Sequence, residues 1–427
     1  METGGAASER RGRGSACEDC AGDRGNWFNA WSECYAGCEL EAPYDGEDHI
    51  AETLDAIVIG AGPAGLAAAA CLKERGLKSV ILEKTNTVGS VWRRHYDRLH
   101  LHTDRGHSGL PGLPMPSACG RYPSRAQVVD YLESYAARFD LKPVFSAAVV
   151  AIRRDGRMWR AEAGENLRSA PVVVVATGWA DYPYAPTWPG METFDGVVMH
   201  SSHYRNPKPY VGQRALVVGF GNSGGEIALD LAEAGVDITL SVRGPVNILP
   251  RDLLGLPILT WAIAQSPLPT RVADALNAPV IRLAVGSIEK LGLARAAKGP
   301  RQMIEEDGRV PLIDIGTVAQ IRAGRIKVRG DIARFASKTV VFAQSPPEPF
   351  EAVILATGFR PDLRTLLPEA EGVLSDAGKP LVSGARTVER GLFFCGAIAS
   401  PTGQLREIGI EAARIADAVL ADRSLRS

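Results

Sequence analysis

Two glycine-rich motifs show the spacing in this sequence that points most directly to a chemistry. One, GAGPAG, follows the apolar run AIVI, and the other, GFGNSG, follows the apolar run ALVV. In the pattern G-x-G-x-x-G the first glycine makes a tight turn, the second lets a pyrophosphate approach the backbone, and the third brings a helix against a strand. Each motif therefore predicts a dinucleotide-binding site. The glycines are Gly60, Gly62 and Gly65 in the first motif and Gly219, Gly221 and Gly224 in the second.

The residues that end the second strand after each motif differ in charge. Glu83 stands there after the first motif, and its carboxylate can accept hydrogen bonds from a ribose while repelling a 2′-phosphate. After the second motif the strand end reads Ser241-Val242-Arg243, and a guanidinium there can pair with a 2′-phosphate. The first site is thus predicted to take FAD or NAD, and the second NADPH. A purely structural turn and a surface arginine are the alternatives.

Each motif lies in a βαβ unit, and that unit occurs twice. Segments 54–84 and 214–243 both run from a short apolar strand through the glycines into an Ala/Leu-rich helix and a second strand. Segments 171–183 and 351–362 repeat another pattern, a buried-type strand that ends in Ala-Thr-Gly, and we expect these two turns to bracket an inserted domain. The predicted fold is α/β, with two nested Rossmann-like dinucleotide-binding domains.

The domain boundaries follow from this nesting. We predict an N-terminal extension at 1–53, an FAD-binding domain in two parts at 54–182 and 346–427, and an NADPH-binding domain at 183–345 between those parts. Proline-rich stretches, DYPYAPTWP and SPPEPF, mark the two crossings. A long apolar segment, 246–293, is predicted either to pack as helices in the second domain or to form a hydrophobic access path or lid.

The C-terminal run GLFFCGAIASPTGQLREIGIEAARIADAVL contains a strand, then Gly396, then a helix predicted to begin near Gln404. Helix N-termini present free N–H groups to electron-rich atoms. Gly396, Gln404 and Leu405 are therefore predicted to lie at the pyrimidine edge of a flavin. A terminal helix that only packs in the core is the alternative.

Composition and charge argue against several classes of function. The formal net charge of -1 and the sequence pI of about 6.7 give no electrostatic support for nucleic-acid binding. No membrane span is predicted, because the longest apolar run contains the GAGPAG motif. The N-terminal run METGGAASERRGRGS lacks the apolar core of a secretory signal, so we expect a cytoplasmic protein. The run KTNTVGSVWRRHY after Glu83 has no cysteine pair, which disfavours a disulfide reductase.

Four cysteines precede the first recognisable element. Their spacing, C-x2-C followed later by C-x3-C, is compatible with a small zinc site, because four thiolates suit tetrahedral zinc. A disordered extension without a metal is the alternative, and it is the one we favour. These residues are Cys17, Cys20, Cys34 and Cys38.

From residue 54 onward the sequence resembles the flavin-containing monooxygenases, and among them the plant YUCCA type. The run FDGVVMHSSHY fits the F-x-G-x-x-x-H-x-x-x-[YF] linker motif of that family through Phe194, Gly196, His200 and Tyr204. The runs YDRLHLH, DYLESYA and VPLIDIG are also similar to YUCCA segments. By this resemblance His102 lies near the flavin, where animal-type members have an asparagine.

The resemblance implies a monooxygenase that depends on FAD and NADPH. In that family NADPH reduces FAD, O2 adds to give a 4a-hydroperoxyflavin, and an aryl 2-oxo acid such as indole-3-pyruvate loses CO2 to give indole-3-acetate. Two alternatives stay open: an N- or S-oxygenating enzyme for soft amines or sulfides, and a non-catalytic redox-sensing module. The expected partners are a small-molecule substrate and O2. Besides the residues above, the predicted cofactor contacts include Trp92, Asn222 and Ser223.

Overall fold

The computed structural model describes residues 53–164 and 166–422. In this part of the chain the α-helices are α1 (Pro63–Glu74), α2 (Ser90–Arg94), α3 (Arg125–Arg138), α4 (Asn222–Glu233), α5 (Ile258–Ala264), α6 (Thr270–Val285), α7 (Pro300–Asp307), α8 (Thr317–Arg322) and α9 (Gln404–Ala421). Short 3-10 helices lie at Arg105–His107, Ser117–Cys119, Met191–Thr193, Ser201–His203, Lys208–Tyr210 and Glu289–Leu291.

The strands of the described residues fall into two parallel sheets and several small ones. In chain order they are β1 (Ala56–Ile59), β2 (Ser79–Leu82), β3 (Ala151–Asp155), β4 (Met158–Ala163), β5 (Asn166–Ala170), β6 (Val172–Val175), β7 (Val197–His200), β8 (Arg214–Val218), β9 (Asp237–Ser241), β10 (Ile248–Pro250), β11 (Asp252–Leu253), β12 (Leu256–Pro257), β13 (Leu312–Asp314), β14 (Ile326–Arg329), β15 (Ile332–Ala336), β16 (Thr339–Phe342), β17 (Glu348–Pro349), β18 (Ala352–Leu355) and β19 (Leu392–Phe394).

The first parallel sheet has the strand order β19-β6-β1-β2. Strands β1 and β6 are buried along their whole length, as expected for Val/Ile-rich strands covered on both faces. One face is covered by α1 and α9, which pack against each other. The alanines at 67–70 of α1 are buried, and their small side chains let α9 approach closely.

The second parallel sheet has the order β14-β9-β8-β18-β7 and repeats the plan of the first. In each sheet a βαβ unit is followed by an antiparallel three-stranded ribbon that leads into the next parallel strand. The ribbon β3-β4-β5 leads into β6, and the ribbon β15-β16-β17 leads into β18. The duplication therefore covers a whole domain, and the predicted α/β fold with two Rossmann-like domains is confirmed.

The second domain extends further along the chain than the sequence predicted. We placed its end at residue 345, but β18 pairs in parallel with β8 and β7 and so lies in the second sheet. The Ala-Thr-Gly turn at 356–358 consequently belongs to the second domain, as the turn at 176–178 belongs to the first. These turns are equivalent parts of two domains and do not bracket an insertion. The chain returns to the first sheet at β19.

The apolar segment 246–293 forms strands β10 to β12 and helices α5 and α6, with Pro279 inside α6. Leu259 of α5 is buried, whereas Leu276 and Leu283 of α6 are 60% and 86% exposed. The segment thus forms helices, one of which keeps an apolar side in solvent. Its role as an access path stays a prediction.

The described residues contain neither a membrane-spanning helix nor a metal-binding cluster. No helix at 53–164 or 166–422 is both long and apolar enough to cross a bilayer. Within these ranges no group of His, Cys, Asp or Glu side chains is arranged to hold a metal ion. The four N-terminal cysteines proposed as a possible zinc site lie outside the described residues.

Candidate dinucleotide-binding sites

The first glycine motif forms the turn between β1 and α1, and each glycine has its own steric reason. Gly60 has φ +105°, and a Cβ there would lie 2.7 Å from the Ala176 carbonyl oxygen. A Cβ at Gly65 would lie 1.8 Å from the Gly60 carbonyl oxygen. A Cβ at Gly62 would meet no heavy atom within 4 Å. Two of the glycines therefore serve the fold, and Gly62 faces open space at the turn.

The second glycine motif repeats these contacts between β8 and α4. Gly219 has φ +106°, and a Cβ there would lie 2.5 Å from the Ala356 carbonyl oxygen. A Cβ at Gly224 would lie 2.0 Å from the Gly219 carbonyl oxygen, whereas one at Gly221 would meet nothing within 4 Å. Each motif thus packs on the Ala-Thr-Gly turn of its own domain, and the two turns have the same shape.

The helices that start from these turns have N-termini without side-chain caps. Gly62 and Gly221 are the N-cap residues of α1 and α4, and neither helix carries an acidic residue in its first turn. Uncapped N–H groups and the positive end of the helix dipole are suited to a phosphate. The residues present at both turns therefore fit the pyrophosphate of a dinucleotide.

Glu83 lies at the carboxyl end of β2, beside the first turn, and is 5% exposed. Its Oε2 accepts a hydrogen bond of 2.7 Å from the Ala61 N–H, and its Oε1 accepts bonds from the N–H and hydroxyl of Thr85 at 3.0 and 2.8 Å. The carboxylate is thereby held in one orientation at the glycine turn. This is the location in which the sequence predicted a ribose contact.

The strand register of the second sheet shows which residue at the end of β9 is equivalent to Glu83. Ile59 pairs with Leu82 in the first sheet and Val218 pairs with Ser241 in the second, so Val242 stands where Glu83 stands. An apolar residue has thus replaced the acid.

The two polar residues around Val242 differ in availability. Ser241 is 3% exposed, and its hydroxyl donates to the Gly330 carbonyl at 2.8 Å. Arg243 is exposed, and its guanidinium has no hydrogen bond or ion pair with the residues that the structure describes. Of the two predicted residues, Arg243 has the free donors.

The other predicted residues of the second motif hold the fold around it. Asn222 accepts a hydrogen bond of 2.8 Å from the Ile313 N–H and donates one of 3.3 Å to the Pro311 carbonyl. It thereby fixes the VPLIDIG run beside α4. Ser223 interacts with the hydroxyl of Tyr96, which comes from the segment between α2 and α3.

At the C-terminal end, α9 begins at Gln404 as the sequence predicted. The Gln404 side chain donates to the carbonyl oxygens of Gly396 and Ile398 at 3.2 and 3.3 Å, and Leu405 is buried. Gly396 donates its N–H to Glu411 at 2.6 Å. Burial raises the pKa of Glu411, a residue that the sequence analysis did not single out. Trp92 is partly buried against the core of this first domain, 5.8 Å from the His95 ring.

The linker motif residues have structural contacts. Phe194 packs edge-on against Phe335 at 5.3 Å, and a Cβ at Gly196 would lie 2.7 Å from the Glu351 carbonyl oxygen. Because the His200 Nδ1 accepts from the Ser202 N–H, its Nε2–H donates to the Gly358 carbonyl at 3.0 Å. Burial lowers the pKa of His200. The motif therefore supports the second Ala-Thr-Gly turn.

A buried polar cluster joins the two domains near the linker motif. His102 Nε2 pairs with Glu226 Oε1, and the Tyr96 hydroxyl donates to Glu226 Oε2 at 2.6 Å. Glu226 is 1% exposed. Tyr204, fully buried, donates to Asp230 at 2.7 Å and packs against Tyr96 at 6.2 Å. Glu226 was not predicted from the sequence, because its partners Tyr96 and His102 are distant from it along the chain.

The sequence matches the family described as "Pyridine nucleotide-disulphide oxidoreductase" over residues 57–250. Among the described residues the cysteines are the free thiols Cys71, Cys119 and Cys395, so this part of the chain contains no disulfide. Burial raises the pKa of Cys71 to about 11 and that of Cys395 well above its ordinary value. A thiol with a raised pKa is unreactive at neutral pH.

Individual relatives and a solved structure indicate the type of enzyme more specifically than this broad family does. The chain is 40% identical over 341 residues to the indole-3-pyruvate monooxygenase YUCCA6 of Arabidopsis thaliana, covering 76% of this chain and 80% of that protein. It is 38% identical over 330 residues to YUCCA1 of Oryza sativa subsp. japonica, covering 76% and 81%. The flavin-containing monooxygenase from Stenotrophomonas maltophilia has a similar structure, with a TM-score of 0.66 and 27% identity over 86% of this chain and 98% of that one.

Proposed function

This chain belongs to the YUCCA family of flavin-dependent monooxygenases, and we propose that it uses FAD and NADPH to oxidise indole-3-pyruvate to indole-3-acetate. The balanced reaction consumes the 2-oxo acid, O2, NADPH and one proton. It yields indole-3-acetate, CO2, NADP⁺ and water. One oxygen atom of O2 enters the new carboxylate and the other leaves as water. Indole-3-pyruvate is proposed as the substrate because the relatives are named as monooxygenases of this compound.

The observation that carries the cofactor assignment is the contrast between two turns of equal shape. Both turns offer an open glycine and an uncapped helix N-terminus to a pyrophosphate. At the adjoining strand ends, however, the first domain has the buried carboxylate of Glu83 and the second has Val242 followed by the exposed Arg243. A carboxylate accepts ribose hydroxyls and repels a 2′-phosphate, whereas a free guanidinium attracts it. This supports FAD in the first domain and NADPH in the second.

The protein's own residues contribute binding and orientation. Helix α1 and Glu83 would hold FAD, helix α4 and Arg243 would hold NADPH, and the N-terminus of α9 would direct N–H groups to the flavin ring. FAD, when bound and reduced, supplies the activation of O2. The described residues need supply no nucleophile, and their buried polar groups serve to fix the two domains.

The alternatives from the sequence lead to different products. An N- or S-oxygenating enzyme would add oxygen to a soft amine or sulfide and release no CO2. A redox-sensing module would bind both nucleotides and form no oxygenated product. The expected cytoplasmic location stays a prediction.

The test is an aerobic assay of the purified, FAD-loaded protein with NADPH and indole-3-pyruvate. We expect one indole-3-acetate for each NADPH oxidised, with CO2 released in equal amount. NADPH oxidation that yields only hydrogen peroxide would contradict the proposed substrate and direct the search to amines and sulfides. Absence of NADPH oxidation by yellow, folded protein would contradict the enzymatic proposal as a whole.

A further inference from the structure

We infer that Arg251 binds the carboxylate of the substrate, an inference that rests on the proposed oxidation of an aryl 2-oxo acid. Arg251 follows β10 at the start of the apolar segment that carries α5 and α6. The sequence analysis named no residue for this role.

The position of Arg251 follows from contacts that start at the N-terminus of α9. A Cβ at Gly403, the N-cap residue of α9, would lie 3.0 Å from Leu259 Cδ2 and 3.3 Å from Thr103 Cγ2. Leu259 and Thr103 therefore both lie close to this helix end. The neighbour of Leu259, Ile258, donates its N–H to the Arg251 carbonyl at 2.9 Å. The Arg251 backbone thus lies at the start of α5, the helix that contacts this end of α9, where the flavin edge is predicted.

The guanidinium of Arg251 has no hydrogen-bond acceptor among the residues that the structure describes. Its Nε is buried and without a hydrogen-bond partner. The nearest carboxylate oxygen, Asp252 Oδ2, is 3.6 Å from Nε, which is close enough for an ion pair but too far for a hydrogen bond. Nε is buried, but the side chain as a whole is 34% exposed, so a ligand can reach its exposed part. A buried donor without an acceptor is rare in folded proteins and calls for a partner.

Tyr122 holds this guanidinium in place. The Arg251 Cζ lies 4.2 Å from the centre of the Tyr122 ring, within the range of a cation–π contact. The ring is itself anchored, because the Tyr122 hydroxyl donates to Asp252 Oδ1 at 2.8 Å. The charge is therefore oriented before any ligand binds.

Other arginines of this neighbourhood are already engaged. Arg121 donates to the Gly255 carbonyl at 2.7 Å and pairs with Asp252 at 3.2 Å. Arg125 has one buried nitrogen without a partner, but it donates to the carbonyl oxygens of Arg93 and His95. Arg406 donates to Glu407 at 2.7 Å.

A carboxylate is the anion that matches this arrangement. The planar guanidinium presents parallel N–H groups that pair with both oxygens of a carboxylate. A 2-oxo acid carries its carboxylate next to the reacting ketone, so holding the carboxylate also positions the ketone. A phosphate of NADPH has related chemistry and is the competing source of the anion.

The test compares an acid with its neutral amide on the FAD-loaded enzyme. Indole-3-propionate has its carboxylate at the same distance from the ring as indole-3-pyruvate, and indole-3-propionamide has the same shape without the charge. By calorimetry we expect the wild-type protein to bind the acid about 10- to 100-fold more tightly than the amide, because hydrogen bonds to charged groups are the stronger ones. In Arg251→Gln this ratio should fall to about one, with a parallel rise in KM for indole-3-pyruvate and no change in KM for NADPH.

Two further variants serve as controls. Arg251→Lys keeps the positive charge but lacks the two parallel N–H donors of the guanidinium. It should retain part of the preference for the acid over the amide. Arg309→Gln removes the same charge from an exposed arginine of the second domain and should leave the preference unchanged. Retained FAD absorbance in each variant shows that it has folded.

Three outcomes would overturn the inference. A wild-type protein that forms no indole-3-acetate removes its premise, and with it the proposed function. If the wild type forms indole-3-acetate but Arg251→Gln still prefers the acid, the inference alone is wrong. If Arg251→Gln raises KM for NADPH and leaves the acid preference unchanged, the anion is a nucleotide phosphate.

Discussion

We propose that single residues at two strand ends set nucleotide selection. Arg243 is exposed and has no hydrogen-bond partner in the part of the chain that the structure describes, and Val242 stands where the first domain has Glu83. Arg243→Gln is expected to raise KM for NADPH about 10- to 100-fold, because a charge-assisted pair with the 2′-phosphate is lost. KM for NADH should stay unchanged. Steady-state kinetics with both nucleotides measures this, with Arg309→Gln as the charge control. An equal loss with both nucleotides would show that Arg243 does not bind the 2′-phosphate.

A pH effect on stability is also expected from one residue. Burial, together with the nearby cations Arg205 and Arg94, lowers the pKa of His95 to about 4. An unfolded histidine titrates near 6.5, so the unfolded chain binds the proton first as the pH falls. The neutral His95 therefore contributes its full stability above pH ~6.5. This contribution is lost as the pH falls towards the pKa of His95 in the folded protein.

The corresponding measurement is urea unfolding at neutral and acidic pH. The wild-type protein should lose about 2 kcal/mol more than His95→Gln between pH ~7.5 and pH ~5. His100→Gln, a substitution of an exposed histidine, should behave like the wild type. If His95→Gln shows the same loss as the wild type, another group determines the acid sensitivity.

At the scale of elements, the two βαβ units allow a paired experiment. Gly62 and Gly221 have ordinary negative φ values and open space around a Cβ, so alanine should be accommodated by the fold at both positions. The added methyl group would instead occupy the space of a pyrophosphate. Gly62→Ala should yield folded protein without yellow FAD. Gly221→Ala should keep FAD and show at least about a tenfold higher KM for NADPH.

The third glycine of the first motif provides the contrast. A Cβ at Gly65 would overlap the Gly60 carbonyl oxygen, so Gly65→Ala should lose soluble protein, not merely its cofactor. Circular dichroism and FAD absorbance of the three variants separate these effects. If Gly62→Ala retained FAD with unchanged affinity, the first turn would not be the pyrophosphate site.

The sequence predicted elements well where a local pattern determines them. Strand, turn and helix follow one another within about 30 residues in a βαβ unit, so the glycine spacing and the start of α9 at Gln404 were readable. The sheet to which β18 belongs was not, because Ala352–Leu355 is an apolar strand like any other and its partners are distant in sequence. Glu226 and Glu411 were missed for the same reason: their partners, Tyr96, His102 and Gly396, are brought to them by tertiary packing.

For the whole molecule, the duplicated domains need a connection that fixes one to the other. The segment between α2 and α3 supplies it, because Tyr96 packs in the core of the second domain whereas Trp92 and Leu101, on either side of it in sequence, pack in the core of the first. The Glu226 carboxylate forms hydrogen bonds with Tyr96 and His102 there and is almost fully buried. A buried carboxylate with two partners stabilises one relative arrangement of these elements, because its removal leaves both partners unsatisfied.

Glu226→Ala should therefore weaken the contacts between the two domains and leave the parallel sheet of each domain intact. We expect a loss of about 2 to 4 kcal/mol of unfolding free energy, since the buried Tyr96 hydroxyl and the partly buried His102 lose their acceptor. In the wild type, flavin release and loss of secondary structure on heating should coincide; in Glu226→Ala they should separate, because the second domain can then open without the first. Flavin fluorescence and circular dichroism, followed on the same sample, measure the two events.

Tyr96→Phe, which removes one hydroxyl and keeps the ring between the domains, should show a smaller separation of the two transitions. Coincident transitions in Glu226→Ala would show that the apolar contacts of Tyr96 and Tyr204 hold the domains together without the carboxylate.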